Sequence, residues 1–248
     1  MLFRSARYPL RILLGRLADE SPAITLYLRG LFVPGGEFYS RAPEYPPQPG
    51  AGQTVHKWPN ISEVNAAPDA RAAADVVQLL VAAGSSAAMT LRSEDVNRKG
   101  WSEDAIAIGS HPMAIQILET CEPRLVAFRN PDAFRSLGTR EVFESKGAAD
   151  FGLIYKGRHP SSHREFWVVM GLNDSGTEAA ARFLKDHGRS LGRLLGATPF
   201  GAIVAVSSSS GREGVVLRSL QPRPAWWRRQ LFRREWKSLA GSSLALPR

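Results

Sequence analysis

The fold is decided by one stretch, Arg164-Glu-Phe-Trp-Val-Val-Met-Gly-Leu-Asn-Asp-Ser-Gly-Thr-Glu-Ala-Ala-Ala-Arg-Phe-Leu184. Its apolar run at 166–170 is rich in aromatic and β-branched residues, which favours a strand. Gly171 breaks the run, and an Ala-rich segment with helical spacing follows from about Ser175. The order strand, tight turn, helix places small residues and hydroxyl groups at a helix N-terminus, where N–H groups favour an anionic ligand.

Strands and helices alternate on both sides of this stretch. Pro68 opens a predicted helix that ends at Gly84, and an apolar strand is predicted at 104–108. A hairpin predicted at 151–170 adds antiparallel pairing. We therefore expect an α/β fold with a Rossmann-like layered sheet, mostly parallel with an antiparallel portion, and basic amphipathic helices at both termini.

Composition divides the chain into four parts. We expect an N-terminal amphipathic segment at 1–37, a Pro-rich linker or strap at 38–60, a Rossmann-like α/β domain at 61–221 and a basic Trp/Arg-rich tail at 222–248. The net charge of +9 is concentrated at the ends, because the long middle of the chain is close to neutral. The body therefore gives no charge-based reason to expect nucleic acid as a partner.

The sequence predicts no metal site and identifies no cofactor. The single cysteine, Cys121, excludes an internal disulfide and a cysteine-based zinc site. His159 and His163 are four residues apart, but Pro160 lies between them, so they cannot share one helix face. No run of 18 uncharged apolar residues is present, so we expect no transmembrane helix.

Two turns are predicted to form a ligand site, because each follows a strand and precedes a helix. If the two strands are parallel neighbours, both turns face one crevice at the carboxyl edge of the sheet. The alternative is that Ser175 or Asp174 only caps a helix, with Glu178 completing a capping box. The candidate ligand-binding residues are Gly109, Ser110, His111, Asn173, Asp174, Ser175, Gly176 and Thr177.

The second turn resembles a nucleotide-binding loop. The segment Gly171-Leu-Asn-Asp-Ser-Gly-Thr-Glu178 is similar to the Gly-Gly-x-Gly-Thr-x-x-Glu loop of the Rossmann-like lysine-decarboxylase-like, or LOG, proteins. Gly176 and Thr177 match its Gly-Thr pair, whereas Asn173 and Asp174 stand where that family has glycine. The resemblance implies a loop that holds a nucleotide phosphate, and the family includes a nucleotide-sensing branch without enzymatic activity.

Both ends of the chain carry basic amphipathic patterns. In the tail, apolar residues and arginines fall on opposite halves of a helix at 100° per residue, which suits self-packing, a protein partner, a second subunit or a membrane surface. An apolar face at 10–17 has the same alternatives: its own domain, a partner or a membrane. The candidate contact residues of the tail are Trp226, Trp227, Arg229, Phe232, Arg233 and Trp236.

From these patterns we expect a non-catalytic sensor or regulatory module that binds a small anionic, nucleotide-like ligand at the strand-end turns. One alternative is a structural or assembly subunit that docks to a partner or membrane through its basic termini. Another is a nucleoside or glycosyl hydrolase that uses Asp174 or Glu178 with His111 in the same crevice. We expect a bacterial cytoplasmic protein, with peripheral membrane association as an open alternative.

Overall fold

A computed structural model describes most of the α/β body. The described residues are 7–19, 21, 23–28, 30–32, 37–39, 55–57, 63–65, 67–93, 103–130, 133–138, 140–145, 149–207 and 218–219. The predicted tail at 222–248, with its six candidate contact residues, lies outside them, as does most of the predicted strap at 38–60. Those two predictions therefore stay predictions.

Five helices and fourteen strands are present in the described residues. The helices are α1 (Tyr8–Leu14), α2 (Arg16–Asp19), α3 (Ala67–Ala83), α4 (Pro112–Thr120) and α5 (Asp174–Leu195). The strands are β1 (Ala23–Leu28), β2 (Gly30–Phe32), β3 (Glu37–Tyr39), β4 (Val55–Lys57), β5 (Glu63–Asn65), β6 (Ala88–Ser93), β7 (Asp104–Ile108), β8 (Val126–Asn130), β9 (Ala133–Ser136), β10 (Val142–Glu144), β11 (Ala149–Arg158), β12 (Glu165–Gly171), β13 (Phe200–Ser207) and β14 (Arg218–Ser219).

A seven-stranded mixed sheet is the centre of the fold, in the order β14-β13-β11-β12-β7-β1-β6. Strands β6, β1, β7 and β12 pair in parallel, and β11, β13 and β14 add antiparallel pairs, so that five of the seven strands run in one direction. The predicted hairpin is confirmed, because β11 and β12 are antiparallel. Strands β8, β9 and β10 form a separate antiparallel sheet. The prediction of a mixed α/β fold with a mostly parallel sheet is confirmed.

Helices and the small sheet cover the two faces of the main sheet. Strand β12 is buried along its whole length, which explains why its residues 166–170 are continuously apolar rather than alternating. Trp167 and Val169 face a core shared with α1, α3 and α5, which we call the helical face. Phe166, Val168 and Met170 face a core shared with α4 and the β8–β10 sheet, which we call the opposite face.

The apolar residues of the first helix pack on the domain itself. Four leucines of α1 and α2 are buried in the core of the helical face. At Gly192 of α5, an added Cβ atom would overlap the carbonyl oxygen of Pro9, so the backbones of α1 and α5 touch there. The leucines are Leu10, Leu13, Leu14 and Leu17. Among the described residues, no helix is long and apolar enough to cross a membrane.

Candidate functional site

The two predicted turns lie side by side at the carboxyl edge of the parallel strands. Strands β7 and β12 are parallel neighbours, with Ile108 opposite Val169. The N–H of Gly109 donates a hydrogen bond to the carbonyl oxygen of Val169 at 3.0 Å, so the first turn begins against the end of β12. From these adjacent ends the chain leaves in opposite directions, because α4 packs on the opposite face and α5 on the helical face.

Each turn needs its glycine for close packing. Gly109 has a φ of +90°, and an added Cβ atom would overlap the buried carboxylate of Asp69 in the first turn of α3. At Gly171, an added Cβ atom would overlap backbone atoms of Asn173 and Thr177. The N–H of Gly171 donates to the hydroxyl oxygen of Thr177 at 2.8 Å, which ties the end of β12 to the first turn of α5.

A carboxylate of the chain itself accepts the hydrogen bonds at the N-terminus of α5. Asp150, at the start of β11, accepts hydrogen bonds at Oδ2 from the Gly176 N–H at 2.5 Å and the Ser175 hydroxyl at 2.6 Å. Its Oδ1 accepts from the N–H groups of Phe151 at 2.8 Å and Asn173 at 3.2 Å. The positive end of the helix dipole therefore already has a negative partner, where the sequence predicted an anionic ligand.

The capping box considered as an alternative is not formed. The residue that caps α5 is Asn173, whose side chain makes no capping hydrogen bond. Glu178 instead accepts from Nε of Arg71 on α3 at 2.9 Å, and the Ser175 hydroxyl donates to Asp150. That prediction was wrong because the carboxylate of Asp150, on β11, accepts the hydrogen bonds of the helix end. A side chain next to the helix end would otherwise accept them.

His111 caps the other helix. It precedes α4 with extended backbone angles, and its Nδ1 accepts a hydrogen bond from the N–H of Ala114 at 3.4 Å. The side chain is 3% exposed, so it is part of the protein interior. Ser110, beside it, is half-buried. The structure thus gives the histidine that was predicted to contact a ligand a local structural role.

The predicted ligand-binding residues fall into two groups by exposure. Asn173, Asp174 and Ser175 are exposed at the edge, and Ser110 is half-buried beside them along the sheet. The buried members hold the turns together, namely Gly109, His111, Gly176 and Thr177. Sequence reasoning missed the two buried aspartates, Asp69 and Asp150. Asp69 stands in a first helical turn, where an acid is common, whereas no local pattern marks Asp150.

A second polar cluster lies at the amino edge of the same strands. Lys156 is 1% exposed, donates to the carbonyl oxygen of Leu13 at 2.7 Å and lies 3.4 Å from Oε2 of Glu165. Oε1 of Glu165 accepts from the indole N–H of Trp167 at 2.9 Å. Burial lowers the pKa of Lys156 and raises the pKa of Glu165, and the attraction between the two groups opposes both shifts.

Asp104 extends this cluster to the surface. Its buried carboxylate accepts from the backbone N–H of Glu165 at 2.7 Å and from the hydroxyl of Ser21. Two guanidinium groups approach the same carboxylate: Nε of Arg16 lies 3.4 Å from Oδ1, and Nη1 of Arg164 lies 3.8 Å from Oδ2. Two positive side chains from different elements therefore share one buried negative charge.

Neither a metal centre nor a related protein assigns a function to these two clusters. Within the described part of the chain, no group of three or more His, Cys, Asp or Glu side chains could hold a metal ion. A scan against protein families and a search of curated proteins found no match to this chain.

Proposed function

We propose that this chain is a non-catalytic ligand-binding module of the sensor or regulatory type, with its site at the carboxyl edge between β7 and β12. The observation that supports the proposal is the divergence of the two connections: α4 leaves to one face and α5 to the other, from adjacent parallel strands. In open α/β sheets, ligands bind in the crevice that such a divergence creates.

The proposal includes a Rossmann-like relationship for the first half of the sheet. In chain order, β1, β6 and β7 are the first, second and third strands of the main sheet. Their order across the sheet is β6-β1-β7, which is 2-1-3. Doubly wound folds of the flavodoxin-like type begin with this order. The antiparallel β11 then interrupts the pattern, so the likeness is restricted to β6, β1 and β7.

Two buried carboxylates of the chain restrict the class of ligand that the carboxyl edge can bind. Asp69 packs against Gly109, and Asp150 occupies the helix end beside Gly176. A phosphate placed on either turn would be repelled by one of these carboxylates. We therefore propose a polar, nucleoside-like ligand whose hydroxyl groups, rather than its charge, meet Ser110 and the exposed side chains at 173–175.

Binding is favoured over catalysis because two of the three candidate acid and base groups, Glu178 and His111, serve the fold. Glu178 is paired with Arg71, and His111 caps α4 from inside the protein. A general acid or base must be within hydrogen-bond reach of the reacting group. These two contacts direct both side chains to neighbouring elements instead, which supports a binding role for the edge.

A thermal-shift panel on the full chain tests this proposal. Nucleosides, their monophosphates and their triphosphates are compared at equal ionic strength, with Ser110→Ala and Asp174→Ala beside the control Ser86→Ala, an exposed serine that precedes β6 at the amino edge of the sheet. We expect a nucleoside to raise Tm, and Ser110→Ala and Asp174→Ala, but not Ser86→Ala, to reduce the rise. The proposal fails if no compound raises Tm, or if the rise is the same in all three variants.

A further inference from the structure

We infer that the carboxyl-edge site selects ligands by their hydrogen-bond donors, namely the hydroxyl groups of a pentose, and that Ser145 is a positioning residue for this selection. The inference rests on the proposed function and names the ligand group that the edge at 173–175 recognises. Ser145 follows β10 and belongs to neither of the two predicted turns. It adds a third part of the chain to the site.

The amide of Asn173 is held in one orientation by two acceptors. Its Nδ2 donates to Oγ of Ser145 at 2.7 Å and to Oδ1 of Asp150 at 3.3 Å. An amide nitrogen carries two N–H donors, so these contacts use both of them. The reversed amide would place its own oxygen against the carboxylate of Asp150, where neither group could donate. The side chain therefore cannot turn over without losing both hydrogen bonds.

The acceptor side of this amide is left for a ligand. Asn173 is exposed, and its side chain makes no capping hydrogen bond to α5. Because both N–H groups are directed at Ser145 and Asp150, the side chain offers Oδ1 to the edge. A carbonyl oxygen binds only a hydrogen-bond donor, so this position favours a ligand group that can donate.

Ser175 has the same polarity as Asn173. Its hydroxyl donates to Oδ2 of Asp150 at 2.6 Å, so the proton of that hydroxyl points towards Asp150 and lone pairs remain for a ligand. Asp174, between the two residues in sequence, adds exposed carboxylate oxygens. Asp150 therefore binds the side-chain donors from inside the protein, and the exposed side chains at 173–175 present acceptors.

The hydroxyl groups of a sugar fit these acceptors. A hydroxyl group donates one hydrogen bond, whereas an ether oxygen and an ionised phosphate oxygen only accept. A ligand that loses the contacted hydroxyl leaves the acceptor at the edge without its hydrogen bond, which lowers affinity. We therefore expect the nucleoside-like ligand of the proposed function to be a ribonucleoside that is bound through a ribose hydroxyl group.

Calorimetric titration of the full chain tests the selection. The probes are adenosine, guanosine, cytidine and uridine, each compared with its 2′-deoxy, 3′-deoxy and corresponding O-methyl forms. We expect a ribonucleoside to bind, and the deoxy and O-methyl forms changed at the contacted hydroxyl to bind about tenfold more weakly, because both lack the donor. Deoxy forms that all bind as tightly as the ribonucleoside overturn the inference, since a loss confined to O-methyl forms is steric.

Two variants test the role of Ser145. Asn173→Ala removes the acceptor and should lower affinity for the ribonucleoside about tenfold, with no remaining preference over the deoxy form. Ser145→Ala removes one acceptor that holds the amide, and we expect a smaller loss, about threefold, from the reduced order of one side chain. In the double variant, Ser145→Ala should add nothing to Asn173→Ala, because Ser145 acts through Asn173.

The control is again Ser86→Ala, an exposed serine at the amino edge, which should leave affinity unchanged. Additive losses in the double variant, or an equal loss in Ser86→Ala, contradict the role given to Ser145. Equal affinity for a ribonucleoside and its deoxy forms refutes the selection and leaves the edge as a ligand site. Absence of binding by every nucleoside refutes the proposed function, and the selection with it.

Discussion

The carboxylate of Asp150 accepts a hydrogen bond from the N–H of Gly176 at 2.5 Å, and so joins the first residues of β11 to the first turn of α5. This contact requires Gly176, because an added Cβ atom there would overlap the carbonyl oxygen of Phe151. The turn that the sequence marks as an anion site is therefore built around an anion that the chain supplies itself.

Removing this carboxylate should destabilise the protein. Asp150→Ala leaves the N–H groups of Gly176 and Asn173 without their acceptor, and we expect the free energy of unfolding to fall by about 2–3 kcal/mol. Urea unfolding followed by circular dichroism measures the change. Asp186→Asn, an exposed site on α5, is the matched control and should change stability by less than about 0.5 kcal/mol. Equal effects of the two variants would contradict the role given to Asp150.

Two glycines of α5 should respond differently to alanine. At Gly192 the added methyl group meets the rigid backbone of Pro9, and we expect a loss of about 1–3 kcal/mol. At Gly188 it meets only the side-chain ends of Leu10 and Leu79, each 3.0 Å away, which can shift. The improved helix propensity should offset part of that cost, so Gly188→Ala should be the milder change. Thermal unfolding of both variants checks the order, and a milder Gly192→Ala would show that α1 is less closely packed than described.

Removing one partner of the buried ion pair between Lys156 and Glu165 should destabilise the protein more than removing both partners. Lys156→Met leaves the carboxylate of Glu165 buried without its cation, and we expect a loss of about 3–5 kcal/mol. Combining Lys156→Met with Glu165→Gln removes both charges, and the double variant should be less destabilised than Lys156→Met alone, and therefore less than the sum of the single variants. A double-mutant cycle from urea unfolding measures the coupling. Simple additivity would mean that the two groups do not stabilise each other.

The thiol of Cys121 should be unreactive in the folded protein. Burial raises the pKa of Cys121 to about 12, so almost no thiolate exists at pH 8. We expect iodoacetamide to modify it at pH 8 in urea but not in buffer, as measured by intact-mass spectrometry. Rapid modification of the folded chain would show that the side chain is accessible.

The same shift makes stability depend on alkaline pH. The folded state holds the thiol proton more tightly than the unfolded chain does, so this stabilisation is complete below about pH 8.5 and is lost as pH rises towards 12. Burial raises the pKa of Tyr155 as well, which adds a loss in the same direction at higher pH. Cys121→Ala should lose less stability between pH 8 and pH 10.5 than the unaltered chain. An identical pH dependence in both proteins would exclude Cys121 as a cause.

Much of the architecture could be predicted from local pattern. Hydrophobic spacing located α3 between Pro68 and Gly84 and the strands on either side of the hairpin, because burial of one helix face or of a whole strand leaves a periodic signal. The candidate site could be predicted only in part. The adjacency of the Gly109 and Gly171 turns depends on β7 and β12 being parallel neighbours, which sequence reasoning could state only as a condition.

The sequence by itself determined the order of strands and helices and the two glycine turns, since these depend on the conformations of neighbouring residues. Only the tertiary structure decided which carboxylate binds the N–H groups of the second turn and which buried side chain donates to the carbonyl oxygen near the end of α1. Asp150 reaches Gly176 across 26 positions, and Lys156 reaches the carbonyl oxygen of Leu13 across 143. Such contacts leave no periodic signal, because the partner of a buried charge is fixed by strand register and helix packing rather than by distance along the chain.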